Sequence, residues 1–380
     1  MVIIDKGSVS KQQDKWGDLN YHILRVKDAD ELTSKQKEKV IDGFNKIIKI
    51  FGENWFREAA VANHPLIWYF RNLAPWTRFW LLDFGKKLDE LKSLPNFEKL
   101  KNKLKTPQLF DASLAELEVA AKLKRASINV ELYPKIDSGE SDFKAVTDDT
   151  EIYIEVTTVG SSEEEMEAEK TYHELVAEPL VFNFNVESAC KVHKILRQPQ
   201  VRAAYRRKIK QVIGRVKNEQ RCAEISEPVI DCIVCPKGKL NEVKQWMKEK
   251  GLTATYGGPP YHDDELKRIR GKIQKKVKQL PKDKPGVIVV FGNHLGWARG
   301  EEDYIQIANE LEEPVYKHSR LTLGVVTTTN HLGSEESFIE KGNRVIVQKA
   351  SYGILQENTI IIKNRNSIFP LNEEILNAFL

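Results

Sequence analysis

Residues 141–158 read SDFKAVTDDTEIYIEVTT. Residues of strand type flank Asp148-Asp149, so a turn between those two aspartates makes the segment an antiparallel hairpin. The numbers of opposed residues then sum to a constant: Thr147 meets Thr150, Lys144 meets Tyr153, and Asp142 meets Glu155. A two-residue and a four-residue loop give the same pairing, whereas a bulge would offset it. Period-two alternation puts Ile152, Ile154 and Val156 on one face with Phe143 and Ala145, and Glu151, Tyr153, Glu155 and Thr157 on the other with Asp142 and Lys144. Two carboxylates therefore converge. At about 5 Å and an effective dielectric of ~20 their repulsion is roughly 3 kcal/mol, so a positive charge is expected between them. A divalent cation such as Mg²⁺, held by one or two carboxylates and several waters, answers that need. A wet sheet end, where solvent screens both charges, is the other reading.

Working outward, residues 31–105 carry apolar positions at three- and four-residue spacing and read as helices. Trp55, Trp68, Tyr69, Trp76 and Trp80 fall among them and are expected to pack a core rather than to stack on bases. DASLAELEVAAKLKRA reads as a helix and INVELYP as a strand before the hairpin. A stretch over 161–262, with an acidic run, a basic helix and the strand EPVIDCIVC, looks like an insertion. The basic helix DDELKRIRGKIQKKVKQL then leads into the apolar strand VIVVF, and further strands follow at LTLGVVTTT, NRVIVQ and NTIIIK. The expected organisation is an α/β layered domain: an N-terminal helical region (1–105), a core in two parts (106–160 and 263–380) and the insertion between them.

The net charge of +4 does not by itself point to a polyanion. Local clusters do more. Lys191 to Arg221 holds one acidic residue, Glu219, and Lys267 to Lys278 is a second basic run. Each reads either as a solvated face or as a surface that tracks phosphates. Arg206 and Lys210 on the first run, and Lys275 and Gln279 on the second, are the candidate nucleic-acid contacts. Four cysteines do not make a disulfide framework, and Cys232 and Cys235 sit three apart on an apolar strand, so no metal is expected there. No secretory signal or membrane span is legible, and a cytoplasmic location is expected.

The order of a Glu-bearing helix, a strand, Ser141-Asp142-Phe143, a turn and Ile152-Tyr153-Ile154-Glu155-Val156-Thr157 resembles the core of the PD-(D/E)XK nuclease superfamily, the restriction-endonuclease-like fold. The resemblance covers roughly 111–158, and more loosely the later helix–strand pair. It implies a mixed sheet flanked by helices, and a Mg²⁺- or Mn²⁺-dependent endonuclease that hydrolyses DNA, with RNA as a second substrate and a homodimer left open. Residue by residue, it makes Asp142 and Glu155 metal ligands together with the Val156 carbonyl. Glu116 matches the acidic residue of the first core helix, with Glu118 as its alternate. Ser113 and Glu116 also fit a capping box, which would give Glu116 a local role instead.

Ser141 stands where the motif has Pro, and Thr157 where it has Lys. Lys144 is the candidate replacement cation; its other reading is a cross-strand or ion-pair partner. The alternative function is a nucleic-acid-binding protein that kept the fold and lost the chemistry.

Overall fold

The computed structural model describes residues 15–72, 74–137, 139–147, 150–160, 180–185, 198–227, 230–252, 255–256, 265–292, 301–330, 336–351 and 355–380. The chain forms two compact units, Met1–Val159 with Glu265–Leu380, and Gly160–Asp264.

The first unit opens with helices α1 (Leu19–Lys27), α2 (Ser34–Phe51), α3 (Glu53–Val61), α4 (Pro65–Arg71), α5 (Pro75–Leu91) and α6 (Phe97–Leu104). A capping box of Thr33 and Gln36 starts α2, and Pro65 and Pro75 occupy first-turn positions of α4 and α5. Val40, Phe44, Ile47, Ile48 and Phe51 make the buried stripe of α2. Trp80 is buried and stacks on Tyr69 and Phe84, and Trp55, Tyr69 and Trp76 pack against the same core. Trp68 is 51% exposed and only edges that cluster.

Helices α2 and α5 touch backbone to backbone at Gly43 and Gly85. A Cβ on Gly43 would lie 2.6 Å from the Leu82 Cα, and one on Gly85 would overlap the Gly43 carbonyl oxygen. Gly85→Ala is therefore expected to lower stability by about 1–3 kcal/mol, read by chemical denaturation, because backbone cannot step aside as a flexible side chain would.

Helix α7 (Phe110–Arg125) leads into β1 (Asn129–Leu132), the small ribbon β2 (Lys135–Ile136) and β3 (Gly139–Glu140), then β4 (Phe143–Thr147) and β5 (Thr150–Val159). Pairing runs Phe143 with Ile154 through Thr147 with Thr150, the register implied by the alternation. The turn residues 148 and 149 lie outside the described residues.

The second unit holds β6 (Leu180–Asn185), α8 (Pro199–Glu219), β7 (Ala223–Glu227), β8 (Ile230–Pro236), α9 (Leu240–Glu249) and β9 (Thr255–Tyr256), with sheet order β7-β8-β6-β9. A disulfide joins Cys222 to Cys235, while Cys232 is free and buried. The spacing within EPVIDCIVC alone gives no sign of this bridge, because its other half lies outside that strand. It is one arm of a hairpin, and the register that pairs Ala223 with Val234, continued one step, sets Cys222 opposite Cys235.

The chain then returns to the first unit with α10 (Glu265–Val277), β10 (Gly286–Gly292), α11 (Glu301–Tyr316), β11 (Leu321–Asn330), β12 (Ser337–Lys341), β13 (Arg344–Ser351), β14 (Leu355–Lys363) and α12 (Glu373–Phe379). The eight-stranded sheet has the order β1-β4-β5-β10-β11-β14-β13-β12; β5, β10 and β11 are mutually parallel and the other neighbours antiparallel.

Central position and parallel neighbours explain why β10 is apolar on consecutive residues. Ile152, Ile154, Val156, Val287 and Val289 share a core with α7 and the N-terminal helices. On the other face, Ile288 and Val290 pack with Ile269, Ile273 and Val277 of α10 and Tyr304, Ala308 and Leu311 of α11. The first unit is thus an α/β structure with an N-terminal helical region and a mixed sheet between helices. No described helix is long and apolar enough to cross a membrane.

Candidate active site at the hairpin

Asp142 sits one residue before β4, where the ladder ends, and Glu155 lies opposite it on β5. The Val156 N–H donates to Asp142 Oδ2 at 2.8 Å, which fixes that carboxylate against the second strand. The positive charge that the pair demands comes from α10: Lys276 Nζ donates to Asp142 Oδ2 at 3.0 Å and to Glu155 Oε2 at 2.8 Å. Both carboxylates thus converge on one ammonium group.

Glu155 is 1% exposed, and its Oε1 is buried without a hydrogen-bond partner. Burial, then the neighbouring Asp142 charge, pushes its carboxyl up to about 7, against the pull of Lys276 and Ser141. Burial draws Lys276 downward, but the Asp142 and Glu155 charges outweigh it and hold the amine above its ordinary value. Glu155 is therefore poised near neutrality beside a cation that stays charged.

Glu116 points inward from α7 and is 5% exposed. It accepts from Lys103 Nζ at 2.5 and 2.8 Å and from the Tyr133 hydroxyl. Burial raises its pKa; Lys103 opposes that shift and the charge of Asp142 adds to it. The capping-box reading is corrected: α7 begins at Phe110, and the Ser113 hydroxyl donates to the Leu109 carbonyl at 2.8 Å, so Ser113 and Glu116 lie inside the helix.

Tyr133 links the two halves of the site. Its backbone is left-handed, with φ +53°, and its N–H donates to the Asp142 carbonyl at 2.9 Å while its hydroxyl reaches Glu116. Burial and the Glu116 charge hold that hydroxyl protonated, so it serves as a donor. Tyr133→Phe should destabilise the fold by about 1–3 kcal/mol, measured by denaturant titration, since a buried carboxylate loses one of its donors.

The other candidates fall as follows. Glu118 pairs with the buried Lys87 at 2.5 Å, which fixes it elsewhere on α7. Lys144 is held by Glu131 at 2.7 Å, with Glu151 at 3.9 Å, and so takes the ion-pair reading. Thr157 is half-buried on the face of Glu155, opposite Val290 of β10.

Lys275 and Gln279, the candidate nucleic-acid contacts, are exposed, and their neighbour Lys276 is the residue that reaches the carboxylates. A signal for this was present in the sequence: Ile269, Ile273, Lys276, Val277 and Leu280 form one stripe at helical spacing, and the single lysine in it must find buried counter-charges. In the second unit Lys210 is exposed and Arg206 half-buried on α8, whose inward stripe is Ile209, Ile213 and Val216.

Among the described residues no group of three or more His, Cys, Asp and Glu side chains forms a metal cage. Two convergent carboxylates, one with a buried unpaired oxygen, suit a hard cation that keeps most of its waters. Compared with family models, curated proteins and solved structures, the chain matches none.

Proposed function

We propose that the chain is a metal-dependent nuclease of the PD-(D/E)XK type, hydrolysing phosphodiester bonds in DNA as an endonuclease. The observation that carries this reading is the meeting of Asp142 and Glu155 on the Lys276 ammonium group. The chain order of α7, β1 and the β4–β5 hairpin, followed by α10 and the parallel strand β10, supports a restriction-endonuclease-like core.

Asp142, Glu155 and the Val156 carbonyl would hold Mg²⁺ or Mn²⁺, with Glu116 alongside. Bound there, the ion would lower the pKa of a coordinated water and offset negative charge building at phosphorus. Lys276 takes the task that the motif gives to a lysine at the Thr157 position: its ammonium group donates to the attacking water or to a non-bridging phosphate oxygen. Without the ion, burial and the Asp142 charge raise Glu155 to about 7; holding the ion, it would stay ionised and act as a ligand. Thr157, on the same face, positions the water through its hydroxyl. Tyr133 and Lys103 hold Glu116 in place.

A nicking and single-strand cleavage assay with Mg²⁺, Mn²⁺ and chelator tests this. Cleavage in both metals and none in chelator supports the nuclease. A second reading is a nucleic-acid-binding protein without chemistry, favoured by Thr157 at the motif lysine position and by Lys276 neutralising the carboxylates unaided. That protein would bind DNA or RNA equally well in chelator and cleave neither.

A further inference from the structure

Beside the candidate site lies an open groove of about 450 Å³, lined by Lys99, Asn102, Lys103, Thr106 and Leu109. The first four share one face of α6 and its C-terminal turn, at i, i+3, i+4 and i+7. Lys99 Nζ and Lys103 Nζ each lie 4.7 Å from the centroid of the Tyr133 ring. Tyr133 in turn contacts Glu116 through its hydroxyl and Asp142 through its N–H. Lys103, which lines the groove, thus touches both Glu116 and the Tyr133 ring that connects to Asp142.

We propose that this groove binds the sugar–phosphate backbone of the substrate strand, at a phosphate flanking the one that is cut. The proposal rests on the nuclease reading and gives the N-terminal helical region its task. Two lysines four residues apart on a helix are rooted about 6 Å apart along its axis, comparable to the spacing of successive phosphates on one strand. Asn102 is exposed and Thr106 half-buried; each adds a neutral hydrogen-bonding group on the same face, and Leu109, 43% exposed, offers an apolar edge at one end for a sugar. Lys99 is paired with Glu140, but both side chains are more than 40% exposed, so the pair yields readily to a phosphate. Lys103, anchored on buried Glu116, keeps its position as the strand arrives.

The test uses the full-length chain and a fluorescently labelled 20-nucleotide DNA, single-stranded and as duplex, in chelator across a salt series. Lys99→Glu with Asn102→Asp leaves the carboxylate cluster untouched. It is expected to weaken binding at least about tenfold and to flatten the slope of log affinity against log salt by about one unit. In Mg²⁺ the loss should appear in KM. Lys101→Glu, on the same helix but outside the groove and paired with Glu98, is the control for a general charge effect and should weaken binding far less.

Wild-type binding that the double variant leaves unchanged in affinity and slope overturns the groove while the nuclease reading stands. Equal losses in the double variant and in Lys101→Glu also overturn it. If the wild type binds neither DNA, the nucleic-acid reading itself falls and the groove with it.

Discussion

Asp142→Ala is expected to lower Mg²⁺-dependent cleavage at least about 10³-fold, and Lys276→Met to lower kcat about 10²–10³-fold, in single-turnover assays on one labelled DNA. Asp142 is the carboxylate fixed by the Val156 N–H, and its loss removes one of two oxygens aimed at the shared centre. Lys276→Met keeps the length and apolar stem of the side chain but removes the only ammonium group that reaches both carboxylates among the described residues.

Thr157 shares the face of Glu155, so Lys276→Met combined with Thr157→Lys should regain part of the lost rate if the task is to put an ammonium group there. Cleavage unaffected by Lys276→Met would remove that residue from the mechanism. Cleavage unaffected by Asp142→Ala would sink the site. Circular dichroism on each variant separates lost chemistry from lost folding.

Glu155→Gln should stabilise the protein by about 1–3 kcal/mol at pH 8 and change little at pH 5. Burial and the Asp142 charge raise the folded-state pKa of Glu155 from 4.5 to about 7. Between those values the folded chain holds a proton that the unfolded chain has released. The stabilising contribution is thus complete below about pH 4.5 and is lost as pH rises through 7. Glutamine copies the protonated form at every pH, so the gap between variant and wild type should open across that window in denaturant titrations. A gap of constant size from pH 5 to 8 would show that Glu155 does not titrate there. The same variant should lose cleavage, since an amide cannot hold a cation as a carboxylate does. Stability gained with activity lost marks a group kept for function.

Much of the site's framework was legible because strand alternation and hairpin register are local arithmetic. Asp142 opposite Glu155, the apolar face of Ile152, Ile154 and Val156, and the inward direction of Glu116 all follow from spacing along the chain. The second hairpin shows the limit of reading one strand at a time. Cys222 and Cys235 pair only when β7 and β8 are recognised as its two arms.

The source of the positive charge was harder to read. At the sequence level a divalent ion meets that need, Lys144 is the candidate for the motif lysine's task, and Lys275 and Gln279 are candidate nucleic-acid contacts. Glu131 holds Lys144, and Lys275 and Gln279 are exposed, on and just beyond the helix that carries Lys276.

The sequence by itself determined which residues face one another within a ribbon or share a stripe on a helix, because those relations depend only on repeats of 2 and 3.6 residues. It also narrowed two opposed carboxylates to a bound cation or a solvent-screened sheet end, since Coulomb repulsion must be met one way or the other. Only the tertiary structure decided that this cation is Lys276, 121 residues beyond Glu155 in the chain. It also decided that Lys103 and Tyr133 hold Glu116. Those choices depend on how helices pack across the sheet, where the orientation of each layer is set by the fit of whole surfaces and by no local repeat.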